Sequence, residues 1–264
     1  MLTNLHSAGI GNWQGIKLLV SDGFSLYDFT DTGDLEPMTA FNNWFHFLSP
    51  EPSVGSSATF IRLLKSALLC DPELEQLTVL QDDVELCQNA LDYIGRVVIP
   101  VSALGASFIT WFTCPYDYHW EKIPVQTPHP SELGYPVLAF RPSRYFILAP
   151  ACTYTRETID RLLYCPHLQQ SWPKRHNCDE MISWALGDSL YATHFPNIAQ
   201  HRGGKNSAIL YDMAKRSHLG EVDTRLSLEK LEEDPQHGSW ESPYYVGRSF
   251  DALSLIPNLT PKVP

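Results

Sequence analysis

A chain of 264 residues is long enough to bury a sizeable core, and 44% hydrophobic with 19% charged residues is the composition of an ordinary globular protein. No apolar run reaches the ~20 residues that span a bilayer. Met1 to Gly15 lacks a basic stretch followed by an apolar core, so no signal peptide is expected and the cytoplasm is the expected location. The net charge of −11 argues against strong nonspecific DNA binding, yet it is unevenly placed. Residues 1–95 carry 3 Lys/Arg against 13 Asp/Glu, whereas residues 141–216 carry 10 against 6. The basic segment suits a phosphate-bearing ligand or acceptor, with ordinary scatter of surface charge as the alternative. The six cysteines (70, 87, 114, 152, 165, 178) include no C-x-x-C pair, so packed, reduced thiols are expected rather than a structural zinc site.

Residues 16–20, Ile-Lys-Leu-Leu-Val, read as a buried strand ended by the Ser21-Asp22-Gly23 turn. Residues 24–56 are rich in Asp, Pro, Gly and aromatics without a clear period, the mark of a functional loop or of a short element without a clear pattern. Ser56 or Ser57 offers an N-cap to a helix running to about Cys70, with Phe60, Leu63, Leu64, Ala67 and Leu68 on one face. Residues 77–80 form a short apolar strand that delivers Gln81-Asp82-Asp83. Leu86, Ala90, Leu91 and Ile94 mark a helix, and residues 97–99 and 108–112 read as strands. Five prolines make 113–136 a loop, and 144–149 reads as a further strand.

Thr155 can cap a helix with Ile159, Leu162 and Leu163 on its apolar face. Asp179 can cap another, with Ile182, Ala185 and Leu186 facing inward and Gly187 ending it. Residues 190–193 form a short strand, and a Pro-containing loop then presents His201. Residues 217–264 are an acidic extension beyond a catalytic domain of residues 1–216, with Tyr244, Tyr245, Phe250 and Leu253 available to dock it. Alternating strands and helices predict an α/β sheet covered by helices, with ligands beyond the carboxyl ends of the strands.

Asp82-Asp83 lies at such an end. Adjacent side chains on extended backbone point to opposite faces, so the two carboxylates take different jobs. One can ligate a hard cation such as Mg²⁺ or Mn²⁺, and the other can meet a sugar or ribose hydroxyl. The alternative is a solvated turn with Asp favouring a helix N-terminus. Histidine is a frequent metal ligand, and His201 would complete a site begun by the aspartates, against the alternative of a packed or surface histidine. Arg202 and Lys205, set among glycines, can bind a diphosphate.

Together these segments resemble a family. Val79-Leu80-Gln81-Asp82-Asp83-Val84 looks like the D-x-D-type element of GT-A glycosyltransferases. Asp179-Glu180 before an apolar helix is similar to their acidic base motif, and Pro196-Asn-Ile-Ala-Gln-His201-Arg-Gly-Gly, with Ser207 following, to their C-terminal histidine motif. The resemblance covers roughly residues 55–210 and implies a GT-A type, Rossmann-like mixed sheet flanked by helices. It implies that Asp83 and His201 hold Mn²⁺ or Mg²⁺, and that Asp82, Asp22, Arg202 and Lys205 meet a nucleotide-sugar donor, UDP-sugars foremost. Asp179 would be the general base of an inverting transfer, with Glu180 the competing candidate. Ala149-Pro-Ala-Cys-Thr153 departs from the glycine-containing loop expected before the base motif.

The implied acceptor is a saccharide or a hydroxymethylated pyrimidine in DNA. For the latter, Arg141, Arg144, Lys174, Arg175, Arg202, Lys205, Lys215 and Arg216 would follow the phosphate backbone, and a duplex base would have to be flipped out. Two other classes use the same residues. A metal-dependent phosphohydrolase would draw further ligands from His167, His176 and His194, and a non-catalytic protein would bind sugar nucleotides on the same scaffold.

Overall fold

The computed structural model describes residues 3–13, 15–20, 44–47, 56–81, 83–97, 105–113, 137–146, 149–165, 178–202, 242 and 244–258. In chain order the elements are α1 (Thr3–Ser7), β1 (Lys17–Val20), β2 (Trp44–Phe47), α2 (Ser56–Cys70), β3 (Gln76–Leu80), β4 (Val84–Leu86) and α3 (Ala90–Val97). They continue with β5 (Phe108–Thr110), β6 (Val137–Pro142), β7 (Ala151–Thr155), α4 (Arg156–Tyr164), α5 (Cys178–Leu186), β8 (Leu190–Phe195) and β9 (Ala199–His201). A 3₁₀ helix spans Ala252–Asn258.

Five strands form the main sheet in the order β3-β7-β5-β8-β6. Three of its four pairings are antiparallel and only β5 with β8 is parallel. The class is α/β with a mixed, mostly antiparallel sheet flanked by helices. β1 and β2 pair in parallel, and β4 pairs antiparallel with β9 in a second small sheet.

Period-2 alternation sorts the sheet residues into two layers. Phe108, Cys152, Tyr154 and Tyr191 face α2, α4 and α5, where Phe60, Leu64, Ile159 and Met181 pack on them. Phe108 and Tyr191 stack with centroids 5.1 Å apart, and Phe146 meets both edge-on. Ile109, Ala151 and Ala192 face the opposite layer, with Leu91 and Ile94 of α3, Ile198 and Ala252. Burial of large side chains in both layers is worth about 1.5–3 kcal/mol each and sets the sheet's two-sided cover.

Helix ends follow the expected chemistry in two places. The Thr155 hydroxyl accepts the N–H of Thr158 at the start of α4. Gly187 ends α5 at φ 54, a left-handed conformation that favours glycine.

Other expectations are corrected. The strand expected over 144–149 is not formed at its start: Ser143–Tyr145 is a 3₁₀ turn, and the strands lie on either side of it as β6 and β7. β7, Ala-Cys-Thr-Tyr-Thr, lacks an apolar run because its threonines are satisfied inside. Thr153 Oγ1 lies 2.8 Å from Thr78 Oγ1 and accepts from Trp111 Nε1 at 2.9 Å. Leu86 belongs to β4 rather than to the following helix, which begins only after Asn89 turns the chain at φ 56. Val97 ends α3 rather than opening a strand.

Residues 244–258 are built into the layer around α3. Tyr245, Phe250 and Leu253 pack on the core there, and Ala252 is fully buried within it. No helix among the described residues is long and apolar enough to cross a membrane.

Candidate functional site

β3, β5 and β8 run in one direction, because β7 is antiparallel to both β3 and β5 while β8 is parallel to β5. Their carboxyl ends therefore share one edge of the sheet, the edge where α/β sheets bind ligands. Beyond it lie residues that follow those strands: Gln81 and Asp83, Trp111 to Thr113, and Pro196 to Ile198. The N-terminus of α5 reaches the same edge, where Gln81 Nε2 donates to Cys178 Sγ over 3.4 Å.

Asp83 and His201 meet here. After β3 the chain turns, with Val84 N–H on Gln81 O at 3.4 Å, and enters β4. β4 pairs with β9 so that Val84 stands opposite His201. The Arg202 N–H then donates to the Asp83 carbonyl at 2.8 Å and closes the ladder beside the site. The imidazole Nε2 lies 3.0 Å from Asp83 Oδ2. His201 is buried, with the Phe112 ring 6.2 Å away, while the Asp83 side chain remains 27% accessible. His201 is thus a strand residue fixed by ladder hydrogen bonds, a correction to the loop expected from its proline and glycines.

The other carboxylate oxygen, Asp83 Oδ1, is buried and has no hydrogen-bond partner. A buried carboxylate oxygen without a donor is costly unless something positive satisfies it. A carboxylate oxygen and an imidazole nitrogen are the donor pair that Mn²⁺ accepts readily, so these two side chains fit a divalent cation. Among the described residues no group of three His, Cys, Asp or Glu forms a metal cluster. Asp82, the expected donor contact, lies outside the described residues, as do Asp22, Lys205, Ser207, His167 and His176.

Asp179 is the second residue of α5, in its first turn rather than at the cap, because the helix already begins at Cys178. Its carboxylate stands at the helix's positive end, close enough to the sheet to act on β7. Burial pushes the Cys152 thiol up to about 12, and the Asp179 charge adds to that. Burial first and Asp179 second also raise the Cys178 thiol. Both thiols are therefore packed and protonated. Glu180 is exposed on the outer side of the same turn.

Arg202 is held across the small sheet by Glu85, with Nη2 on Oε1 at 2.8 Å. Burial and then the Glu85 charge raise the Tyr245 phenol beside them. Glu85 escaped the sequence reading. Its signal was the alternation Val84-x-Leu86, which turns Glu85 to the open face of β4. Arg141, counted in the expected basic strip, is buried at 2% exposure, and Arg144 is paired with Asp188 at 2.6 Å. Neither places an uncompensated cation on the surface, and Lys174, Arg175, Lys215 and Arg216 lie outside the described residues.

His194 does not join the site. The Pro196 carbonyl can only accept, so at 2.8 Å it takes the Nδ1–H, and Nε2 at 2.8 Å accepts from the Tyr93 hydroxyl. The ring is buried and neutral, and burial lowers its pKa to about 4. This withdraws one ligand from the phosphohydrolase alternative. It also makes a stability prediction. Between the unfolded value near 6.5 and about 4, the unfolded chain binds a proton that the folded one refuses. Stability therefore falls as pH drops through that window, by about 3 kcal/mol in full. Urea midpoints at pH 7 and pH 4 should show that difference shrink by about this amount in His194→Gln; an unchanged difference refutes the assignment.

The two residues flanking this stretch hold the C-terminal segment. The Gln200 side chain accepts the Ser242 N–H at 2.7 Å and donates to the Ser242 carbonyl at 3.2 Å, as a neighbouring strand would. The Asn197 amide, oriented with its nitrogen toward Thr113 Oγ1 and the His194 carbonyl, takes the Ser242 hydroxyl on its oxygen at 2.7 Å. Gln200→Ala removes the partner of the Ser242 N–H, while the Ser242 carbonyl keeps the Tyr245 N–H at 3.3 Å. The expected loss is about 1–3 kcal/mol in chemical denaturation, with faster proteolysis near residue 242. An unchanged midpoint would remove the clamp from the account.

No protein-family model matches this chain, and no curated protein is significantly similar to it.

Proposed function

We propose that this protein is a metal-dependent glycosyltransferase of the GT-A type. It moves a sugar from a nucleoside-diphosphate sugar to a hydroxyl acceptor. One observation carries the reading: Asp83 and His201, far apart in the chain and each singled out by a different motif, face each other at 3.0 Å. The orphaned Asp83 Oδ1 beside them and the acidic start of α5 at the same sheet edge support it. An Asp-Asp turn serving only to cap a helix would leave neither.

In this reading Asp83 and His201 hold the cation, which when bound neutralises the leaving diphosphate. Arg202 follows His201 in the chain and is held by Glu85, and it would meet the donor diphosphate. Asp179 takes the proton of the acceptor hydroxyl as its oxygen bonds to the anomeric carbon and the carbon–oxygen bond to the diphosphate breaks. The helix dipole at the start of α5 favours the ionised carboxylate before transfer.

The direct test mixes the full-length protein with a panel of nucleotide sugars and Mn²⁺ and measures nucleoside diphosphate release and donor binding. Slow donor hydrolysis without acceptor, specific to one nucleotide sugar, is expected. If no sugar nucleotide is bound or turned over, the proposal fails. Turnover of simple phosphomonoesters would favour the phosphohydrolase instead. Digestion and mass analysis of hydroxymethylcytosine DNA after incubation with donor separates the DNA acceptor from saccharides.

A further inference from the structure

α5 carries an aromatic side chain that its packing does not use. Met181 and Ile182 are buried, while Trp184 is 73% exposed. A single exposed apolar residue is ordinary. This one, however, rims an open cleft of about 410 Å³ lined by Arg144, Phe146, Glu180, Ser183 and Gly187, within the roughly 300–1,000 Å³ of small-molecule sites. The cleft follows α5 from Glu180 to Gly187, about 10 Å of helix. Its Glu180 end lies in the first turn of α5, next in the chain to Asp179, and its Arg144 and Gly187 end lies where β8 begins.

The lining selects a ligand class. Trp184 offers a flat apolar face, Glu180 a hydrogen-bond acceptor and Arg144 a set of donors. Among the described residues the charge at the cleft is acidic: Arg144 is already paired with Asp188 at 2.6 Å, and Glu180 adds a second carboxylate. Two carboxylates against one guanidinium repel a nucleic-acid backbone. They do not repel a neutral polyol. A pyranose ring has an apolar C–H face that lies on an indole and hydroxyls at its rim that reach both a carboxylate and a guanidinium.

We infer that this cleft is a saccharide subsite, with the sugar ring stacked on Trp184 and its hydroxyls held by Glu180 and Arg144. The inference rests on the glycosyltransferase reading for its role: Glu180 follows Asp179 in the first turn of α5, so a saccharide lying along the helix would have one end next to the proposed base.

The test uses the full-length protein on an array of neutral oligosaccharides, with no donor present. The wild type binds at least one neutral glycan. Trp184→Ala weakens that binding by about tenfold or more, and Trp184→Phe recovers most of it. Because the side chain is exposed, Trp184→Ala should melt within about 2 °C of wild type, which separates lost binding from lost folding. The inference is overturned if the wild type binds no neutral glycan, or if Trp184→Ala binds as well as wild type. It is also overturned if Trp184→Ala instead abolishes binding of a single-stranded oligonucleotide. Trp184-dependent glycan binding without turnover of any nucleotide sugar would sink the transferase reading and leave the subsite standing. Turnover without Trp184-dependent glycan binding would do the reverse.

Discussion

Asp83→Ala is expected to weaken Mn²⁺-dependent binding of the nucleotide sugar by about 100-fold or more, and His201→Ala to do the same. The reason is geometric. The two side chains are 3.0 Å apart on paired strands, so each supplies part of one donor set and neither has a described substitute. Their effects should therefore not add: the double variant should lose little more than either single one.

A thermal-shift experiment reads this without turnover. Saturating Mn²⁺ and donor stabilise the wild type by about 2.7 kcal/mol at 100 times the dissociation constant. Neither variant should gain that shift. Each variant also leaves a buried polar partner behind, at a cost of about 1–3 kcal/mol, so the comparison is each protein with and without ligand rather than variant against wild type. A donor- and Mn²⁺-dependent shift surviving in Asp83→Ala would show that the cation sits elsewhere.

Asp179→Asn should lower transfer by about 10²–10⁴-fold while leaving donor binding intact. Asparagine preserves the shape of the first turn of α5 but cannot take a proton. The split matters: an effect on turnover with unchanged donor affinity is the behaviour of a base, whereas a parallel loss of both would mean that Asp179 positions the donor. Glu180→Gln is the paired control. Glu180 lies on the exposed side of the helix toward the Trp184 cleft, so its change should weaken acceptor saturation more than the maximal rate. If Glu180→Gln abolishes turnover and Asp179→Asn does not, the roles are exchanged. If neither does, the transfer needs no base from this helix, as a retaining reaction would not.

Much of this site could be read from local pattern. The strand before Asp82-Asp83 announced itself as Leu-Thr-Val-Leu, the Thr155 cap and the Gly187 stop sit where their chemistry requires, and the acidic first turn precedes an apolar helix. What misled the reading was local too. The apolar residues after Arg144 look like a strand, yet the chain turns at Ser143–Tyr145 and Phe146 packs edge-on against the stacked rings of Phe108 and Tyr191. β7 was hidden because its two threonines alternate with a cysteine and a tyrosine, and only a buried sheet with matched hydroxyls makes such a strand favourable.

The sequence by itself determined the alternation of strands and helices, the acidic pair at a strand's end, the acidic helix start and the histidine, because each is written in a few neighbouring residues. It could not say that the histidine reaches the aspartate. That depends on β4 pairing with β9 in one register out of several, and a slip of one residue would turn His201 to the other face. Nor could it say that residue 242 returns to hold Gln200, or that Trp184 alone is left outside a helix whose other apolar residues are covered. These are contacts between distant segments, chosen by how two layers close on a sheet, and only the tertiary structure decides them.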